Sequence, residues 1–331
     1  MVGKELTKAR AAEVSRPVKG YATALGTMWH GDSRHVLEKL KDNSVNAIIT
    51  SPPFALTRVK SYGNEPEHRY VDWFMQFAEQ FKRVLTDDGS LVLDLGGAWL
   101  PGSPTRSLYQ YRLLIRLCDE LGFHLAEDFY WFNPAKIPGP REWVTRQRIR
   151  VKDSVNLVWW LGKTEYPKAN NKNVLVEYSA SMKRLLAKKS YNQGIRPSGH
   201  DVGAAWAIDH GGAIPSNVIR AELEHDLLDN FLEVANTSAS DDYQKYCREH
   251  SIPTHPARFP RTIPEFFTKF LTDEGDLIVD PFAGSNMTGV VAEELSRKWI
   301  SAELDRDFVR GSIGRFSPES VTTNKIDQLY K

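Results

Sequence analysis

Cysteine, long apolar runs and a large net charge are all missing from this sequence. Its 331 residues include only Cys118 and Cys247, which excludes a disulfide framework or a cysteine-rich zinc site and fits a reducing compartment. No uninterrupted apolar stretch reaches the ~18 residues that a membrane-spanning helix needs. Residues 1–16 also lack the apolar segment of a secretory signal, so we predict a cytoplasmic protein with no membrane partner.

Positive charge is concentrated in one part of the chain, although the net charge is only +1. Residues 131–200 hold 14 Lys and Arg against 4 Asp and Glu, so this segment carries +10 and the remainder of the chain −9. A basic segment inside a nearly neutral protein is typical of a surface that binds a polyanion. The alternative is an ordinary solvated face, although such faces usually mix both signs.

Strands and helices alternate along most of the chain, which has room for one large α/β domain with an insertion. The apolar patterns predict strands at 47–50, 90–95, 125–132, 155–161, 277–279 and 299–302, and helices at 70–85, 107–121, 264–271 and 289–295. This alternation indicates a doubly wound, mostly parallel sheet. Residues 164–253 break the pattern and predict an inserted, less regular module, and residues 317–331 form a polar tail.

A short rigid segment, Ser51-Pro52-Pro53-Phe54, directly follows the apolar run that ends the first predicted strand. Each proline fixes φ and supplies a carbonyl without a competing N–H group, so hydrogen-bond acceptors and a flat ring are held in place. Such a ledge at the edge of a sheet suits a planar base that carries an amino group. The alternative is that the two prolines simply terminate the strand.

A second motif, residues 277–286, runs from a strand through a turn of small residues into a helix. Glycine lets the backbone approach a ligand closely, and the carboxylate of Asp280 can hold a cationic amino group. The turn lacks both G-x-G-x-x-G and the Lys-Ser/Thr of a P-loop, which disfavours a nicotinamide dinucleotide and a nucleoside triphosphate. Glu303, about 20 residues later, is placed to bind ribose hydroxyls. An adenosine-bearing cofactor with an amino-acid arm fits both features, whereas a plain strand-to-turn junction explains the dipeptide at 280–281 alone.

Together the two motifs resemble those of the amino-methylating DNA methyltransferases that use S-adenosylmethionine. The catalytic motif comes first, as in the circularly permuted beta class, and Ser-Pro-Pro is more similar to the cytosine-N4 enzymes than to those with Asp-Pro-Pro-Tyr. The resemblance covers most of the chain in separate blocks at 28–33, 50–56, 126–134, 149–153, 196–201 and 255–260. Neither cysteine follows a proline, so the Pro-Cys nucleophile that attacks cytosine C6 is missing.

The resemblance implies a Rossmann-like methyltransferase fold and a role for each motif. Residues 1–163 would form the catalytic half, 254–316 the cofactor-binding half, and 164–253 a target-recognition module. The cofactor would be held by residues in four groups: Asp280, Phe282, Gly284 and Ser285 at its methionine portion, Glu303 at its ribose, Asp32 and Ser33 at its adenine, and Phe259 and Pro260 as a pocket wall. Asn286-Met287 replaces the Gly-Thr that is common after this turn. Asp94, Gly96 and Gly97 either face the same cleft or form a tight turn.

The same resemblance implies how DNA is bound and methylated. The target base is flipped out of the duplex, Phe54 stacks on it, and the Ser51 hydroxyl and the Pro52 carbonyl accept hydrogen bonds from its amino group. The methyl group then moves by direct displacement, without a covalent enzyme intermediate. Phosphate contacts are expected from Arg146, Arg148, Arg150 and Lys152, and base contacts in the major groove from Arg196 and His200.

Two alternatives to cytosine-N4 methylation follow from the same residues: adenine-N6 methylation on the same fold, and a DNA-binding protein without turnover. We expect double-stranded DNA as partner, a bacterial type of protein associated with the nucleoid, a cognate restriction endonuclease, and a monomer or homodimer. We expect no metal ion, and His30 and His255 are interpreted as structural.

Overall fold

The protein is described from a computed structural model, and the description covers residues 16–55, 65–133, 136–188, 194–195, 197, 199, 201–202, 208–220, 242–324 and 326. The strands within these residues are β1 (Val18–Ala22), β2 (Gly26–His30), β3 (Val45–Thr50), β4 (Leu85–Leu95), β5 (His124–Phe132), β6 (Val155–Gly162), β7 (Gly194–Ile195), β8 (Asp201–Val202), β9 (Val218–Arg220), β10 (Leu277–Asp280), β11 (Lys298–Glu303) and β12 (Thr323–Asn324). The α-helices are α1 (Ser33–Leu37), α2 (Glu67–Val84), α3 (Tyr109–Asp119), α4 (Ala180–Lys188), α5 (Asp242–Glu249), α6 (Thr262–Leu271), α7 (Met287–Glu294) and α8 (Arg306–Ser312).

Ten of these strands form one sheet, in the order β12-β1-β2-β11-β10-β3-β4-β6-β5-β9. The five central strands from β2 to β4 pair in parallel, whereas β1, β6 and β12 pair antiparallel with their neighbours. The predicted α/β class with a doubly wound, largely parallel centre is therefore confirmed, and the antiparallel strands make the sheet mixed. Because the central strands run in one direction, their carboxyl ends meet at one edge, where such sheets bind ligands.

Apolar side chains cover both faces of the sheet because successive residues of a strand point to opposite faces. In β3, Ile48 joins a core built with α2 and α3, whereas Ala47 and Ile49 join a second core built with α6 and α7. Helix α2 buries its predicted apolar stripe, which includes Phe74 and Phe81. Helices therefore pack on both faces, as a doubly wound fold requires.

Residues 169–216 form a compact unit of their own, separate from the unit that contains 1–168 and 217–331. The described part of this small unit contains helix α4, a 3₁₀ turn at Asn171–Val174 and the β7–β8 hairpin. Val176 and Ala213 bond to each other through both backbone groups, at 2.9 Å each, and the Tyr178 hydroxyl accepts a hydrogen bond from the His210 N–H. The expected module at 164–253 is wider than this unit, and its role in target recognition stays a prediction.

The edges of the sheet were not predicted. Strands β1, β2 and β12 are short, and β12 pairs with β1 although about 300 residues of chain separate them. The expected polar tail therefore contributes a strand, and the side chain of Ile326 within it is fully buried. Within the described residues, no helix is both long enough and apolar enough to cross a membrane.

Candidate active site

The two sequence motifs lie side by side because β3 and β10 are neighbours in the sheet. The Thr50 hydroxyl, the last residue of β3, donates to the Asp280 carboxylate at the end of β10 over 2.7 Å. The same carboxylate accepts hydrogen bonds from the Thr288 hydroxyl at 2.7 Å and from the Phe282 N–H at 3.1 Å. Asp280 therefore ties the segment before Ser51 to the glycine-containing turn.

Asp280 is almost fully buried, and burial raises its pKa to about 6 although the three donors stabilise its charge. Both carboxylate oxygens already accept bonds from the protein. The expectation that this residue also receives the amino group of a ligand stays a prediction. What the geometry establishes is a tie between two motifs that are 230 positions apart in the chain.

Ser51 donates a hydrogen bond of 2.9 Å to Oδ2 of Asp94, near the end of β4. Burial raises the pKa of Asp94 to about 7, although Ser51, Lys136 and Asn156 each act to lower it. Its other oxygen, Oδ1, makes no good hydrogen bond within the described part of the chain. Ser51 and Asp94 thus form a hydroxyl–carboxyl pair whose carboxyl group can exchange a proton near neutral pH.

Phe54 lies against Gly96, just beyond the end of β4. A Cβ atom at Gly96 would come within 2.4 Å of the Phe54 ring, so only glycine allows this contact. The carbonyl of Gly96 accepts a hydrogen bond from the buried Tyr109 hydroxyl, which holds the glycine in place. Of the two interpretations of this segment, a position in the cleft beside the catalytic motif agrees with the contact.

The turn after β10 has the left-handed backbone that glycine and asparagine tolerate. Gly284 has φ +51° and Asn286 has φ +57°. The Asn286 side chain also caps α7 by accepting a bond from the Gly289 N–H at 3.2 Å. The departure from Gly-Thr at these positions is therefore compatible with the turn. Arg315, which sequence reasoning missed, donates to the Ser285 carbonyl at 2.6 Å and to its hydroxyl at 2.9 Å.

Glu303 lies beside this turn at the end of β11. Its carboxylate accepts the N–H of Gly284 at 2.9 Å and the N–H of Asp305 at 2.8 Å. Burial raises its pKa to about 7 despite these bonds. Leu304, also missed, leaves 47% of its surface exposed next to this carboxylate. An exposed large apolar residue directly after an acidic strand end is a signal that could have found it.

Asp32 follows β2 and caps helix α1 by accepting the Arg34 N–H at 3.0 Å. The Arg34 guanidinium also pairs with this carboxylate at 2.5 Å. Burial opposes the charge of Asp32, but the bonds from Arg34 hold its pKa below the usual value. Arg34 in turn lies over the ring of Phe77, which packs against Phe282 of the turn with 4.9 Å between ring centroids.

These residues fit an adenosine cofactor with an amino-acid arm. The turn at Gly284 has the backbone freedom that close approach needs, and acidic side chains stand at the ends of two neighbouring strands. Ser33 is buried beside Asp32, whereas Phe259 and Pro260 are half-buried just before α6, where Phe259 packs on the core of the second sheet face. No group of His, Cys, Asp and Glu within the described residues could hold a metal ion.

The candidate DNA contacts lie on an exposed segment between β5 and β6. It contains a π-helical turn, Glu142–Arg146, after which Arg146, Arg148, Arg150 and Lys152 are all exposed. Arg150 donates to the Pro104 carbonyl at 3.0 Å, beside a surface cavity of about 380 Å³ lined by Trp99, Pro104, Thr105, Arg106, Arg150 and Val151. Arg196 and His200 lie outside the residues that the structure describes.

Known proteins resemble this chain over nearly its whole length. Type II methyltransferase M.PvuII from Proteus hauseri is 48% identical over 312 residues, which make up 94% of this chain and 89% of that protein. Type II methyltransferase M.BglII from Bacillus subtilis is 22% identical over 305 residues, or 92% of this chain and 72% of that protein.

Solved structures give the same result. PvuII DNA methyltransferase (cytosine-N4-specific) matches with a TM-score of 0.71 and 42% identity, covering 95% of each chain. A DNA modification methylase of Thermus thermophilus, solved with S-adenosyl-L-methionine, has a TM-score of 0.50 at 17% identity and covers 89% of this chain and 96% of its own, which shows the fold alone. Residues 45–313 match the family model of the DNA methylases. The chain therefore belongs to the DNA methylase family, as the resemblance of its motifs indicated.

Proposed function

We propose that this protein is a site-specific DNA methyltransferase that transfers a methyl group from S-adenosylmethionine to the exocyclic N4 atom of cytosine in duplex DNA. The observation that carries the proposal is the 2.9 Å hydrogen bond from Ser51 to Asp94, which places a proton-accepting pair in the methyl-acceptor motif. The 48% identity to M.PvuII supports the choice of cytosine N4, because the solved PvuII enzyme is cytosine-N4-specific.

The cofactor site follows from the residues around the Gly284 turn. When bound, S-adenosylmethionine supplies an electrophilic methyl group on a sulfonium. Gly284 and Ser285 would hold the methionine portion together with Asp280 and Phe282, and Glu303 would hold the ribose hydroxyls. Asp32 and Ser33 would bind the adenine edge, Leu304 would cover the adenine ring, and Phe259 and Pro260 would close the pocket.

The target cytosine must leave the base stack, because N4 is out of reach inside a duplex. Phe54 would then stack on the flipped ring, held at its level by the contact with Gly96. The Ser51 hydroxyl donates to Asp94, which leaves its oxygen lone pairs to accept a bond from the N4 amino group. A second bond to the Pro52 carbonyl, in a loop that Pro53 keeps rigid, would orient the nitrogen.

Two acceptors on the amino group oppose delocalisation of the N4 lone pair into the ring and aim it at the methyl group. The new N–C bond forms as the C–S bond breaks, and S-adenosylhomocysteine leaves as a neutral thioether. The nitrogen loses one proton, which Ser51 accepts while its own proton passes to Asp94. The pKa of about 7 suits Asp94 to receive a proton and return it to solvent after each turnover.

DNA would be held by the exposed basic segment between β5 and β6. Arg146, Arg148, Arg150 and Lys152 would contact phosphates, which orient the duplex without reading its sequence. Residues 164–253 would carry target recognition, with Arg196 and His200 as readers of base edges. We also propose that the protein protects DNA against a cognate restriction endonuclease.

Labelled S-adenosylmethionine and duplex DNA, followed by digestion to nucleosides, test the proposed reaction directly. We expect N4-methylcytosine. N6-methyladenine would replace cytosine by adenine as the target, and the absence of any labelled nucleoside would contradict an enzymatic function. Sequencing of modified bases after expression in a host without this activity would locate the site, and that site should resist the endonuclease that recognises it.

A further inference from the structure

Buried polar groups continue behind Asp94, on the side away from Ser51. Asp94 pairs with Val158 across β4 and β6, and Asn156 pairs with Trp131 across β6 and β5. Directly paired residues point to the same face, and residues two apart along a strand do as well, so Asp94, Asn156 and Trp131 share one face. All three are at least 96% buried, and each carries a polar atom without a hydrogen-bond partner in the described structure.

Lys136 supplies positive charge to this cluster. Its ammonium donates to the carbonyl of Val155 at 3.1 Å, directly before Asn156, and lies 3.8 Å from the carboxylate of Asp153. Burial lowers the pKa of Lys136, but its side chain keeps a partly exposed route to solvent, and Asp153 and Asp94 both favour its charged form. Neither the Lys136 side chain nor its position near Asp94 was foreseen from the motifs.

The charged and titratable groups that face Asp94 come from four directions. Ser51 donates from the catalytic loop, Tyr70 comes from α2, Tyr109 from α3, and Lys136 from the segment before β6. Burial raises the pKa of both tyrosines well above the usual value, so both stay neutral near pH 7. Lys136 is therefore the cation that acts on Asp94 within the described residues.

This inference rests on the proposed function. We propose that Lys136 is a positioning residue of the methyl transfer: its ammonium keeps Asp94 ionised, so that Ser51 can pass on the proton released by the target amino group. Asp94 has lost almost all contact with water, and a buried carboxylate needs either hydrogen-bond donors or a nearby cation. One oxygen has Ser51 as donor and the other has none of good geometry, so the cation provides what the hydrogen bonds lack.

The test measures the single-turnover rate of methyl transfer between pH 5.5 and 9, with duplex DNA and S-adenosylmethionine saturating and N4-methylcytosine as the product. For the unchanged protein we expect the rate to rise with pH around a midpoint of about 7. Lys136→Gln keeps a donor to the Val155 carbonyl and removes the charge. We expect its midpoint to move up by about one pH unit, which is about a tenfold loss of rate at low pH that is recovered at pH 9.

Two further variants separate charge from structure. Lys136→Arg keeps the charge and should hold the midpoint at or below that of the unchanged protein. Lys152→Gln removes a lysine from the same basic segment and should raise the KM for DNA without moving the midpoint. If Lys136→Gln loses rate equally at every pH, or if Lys136→Arg moves the midpoint up, the proposal is wrong.

Binding of S-adenosylmethionine measured by calorimetry reports whether each variant is folded. If the neutral variant does not fold, the arginine variant decides alone, because a guanidinium stays charged over the whole range. A protein that makes no N4-methylcytosine at any pH contradicts the proposed function. Normal product with an unshifted midpoint in Lys136→Gln contradicts the role of Lys136 alone.

Discussion

Asp94 shows at the scale of one residue how an active site opposes stability. Burial raises its pKa from 3.8 to about 7, so the folded protein keeps a proton that the unfolded chain releases at lower pH. Between about pH 4 and pH 7 the folded state therefore binds more protons, and the contribution of this group to stability falls as pH rises. Each unit of displacement corresponds to about 1.4 kcal/mol.

Asp94→Asn cannot ionise and should escape this decline. We expect the melting temperature of the variant, relative to the unchanged protein, to be higher at pH 8 than at pH 5, by an amount that reflects a few kcal/mol at most. Its rate of methylation should fall about 10²- to 10⁴-fold, as for loss of a general base. Thermal unfolding at the two pH values checks the first part, and an identical difference at both would contradict the buried, protonated carboxyl.

Ser51→Ala removes the hydroxyl between the target amino group and Asp94. We expect kcat to fall at least about a hundredfold, with little change in the binding of S-adenosylmethionine, because the cofactor turn does not touch this hydroxyl. Steady-state kinetics and calorimetry measure the two quantities. Ser320→Ala is the matched control, since its exposed hydroxyl bonds only to the Ser317 carbonyl. Full activity in Ser51→Ala would remove the basis of the mechanism.

Gly96→Ala tests the contact that positions Phe54. The added Cβ would lie 2.4 Å from the ring, so the ring must move from its place above the target pocket. We expect a loss of kcat/KM of about tenfold or more. Gly97→Ala is the control, because its Cβ would meet only the end of the flexible Arg106 side chain, at 2.9 Å. Equal effects of the two substitutions would contradict the role of the ring.

At the scale of elements, β3 and β10 are held together at their carboxyl ends by one carboxylate. Thr50→Val removes one of the three donors to Asp280 without changing the shape of the side chain. A buried acceptor that loses its partner costs about 1–3 kcal/mol, so we expect lower stability and weaker binding of S-adenosylmethionine. Denaturant unfolding and calorimetry check both, against Thr322→Val, whose hydroxyl is exposed. Unchanged stability in Thr50→Val would mean that the tie is not formed.

Elements were predictable wherever the chain carries its own pattern. Strand β3 and helix α2 have the expected apolar periods, and their bounds agree with the prediction within three residues. Short edge strands carry no such pattern, because β1 and β12 are specified by each other across the whole chain. At β4 the predicted turn at 87–89 lies inside the strand, where the register shifts between Val45 and Ala47. Pairing over long distances decides these cases, and a local period does not report it.

At the scale of the whole molecule, the sheet order brings together side chains that the sequence scatters. The motifs predicted which segments matter, since Ser51, Asp280 and Glu303 stand at the ends of central strands. Lys136 and Arg315 could not be found in this way, because each reaches the site from a segment without a recognisable motif and acts through another residue. Their positions depend on packing between distant parts of the chain, which a single sequence does not display.

The uneven charge of the molecule gives its last testable property. A protein that neutralises phosphates releases counterions, so the logarithm of its DNA affinity should fall steeply and linearly with the logarithm of salt concentration. Arg146→Gln and Lys152→Gln should each lower this slope by about 1. Arg69→Gln is the control, since Arg69 is equally exposed on α2 and pairs with Glu65 outside the basic segment. Fluorescence anisotropy at several salt concentrations measures the slopes. A flat dependence, or an equal effect of all three substitutions, would place the DNA on another face.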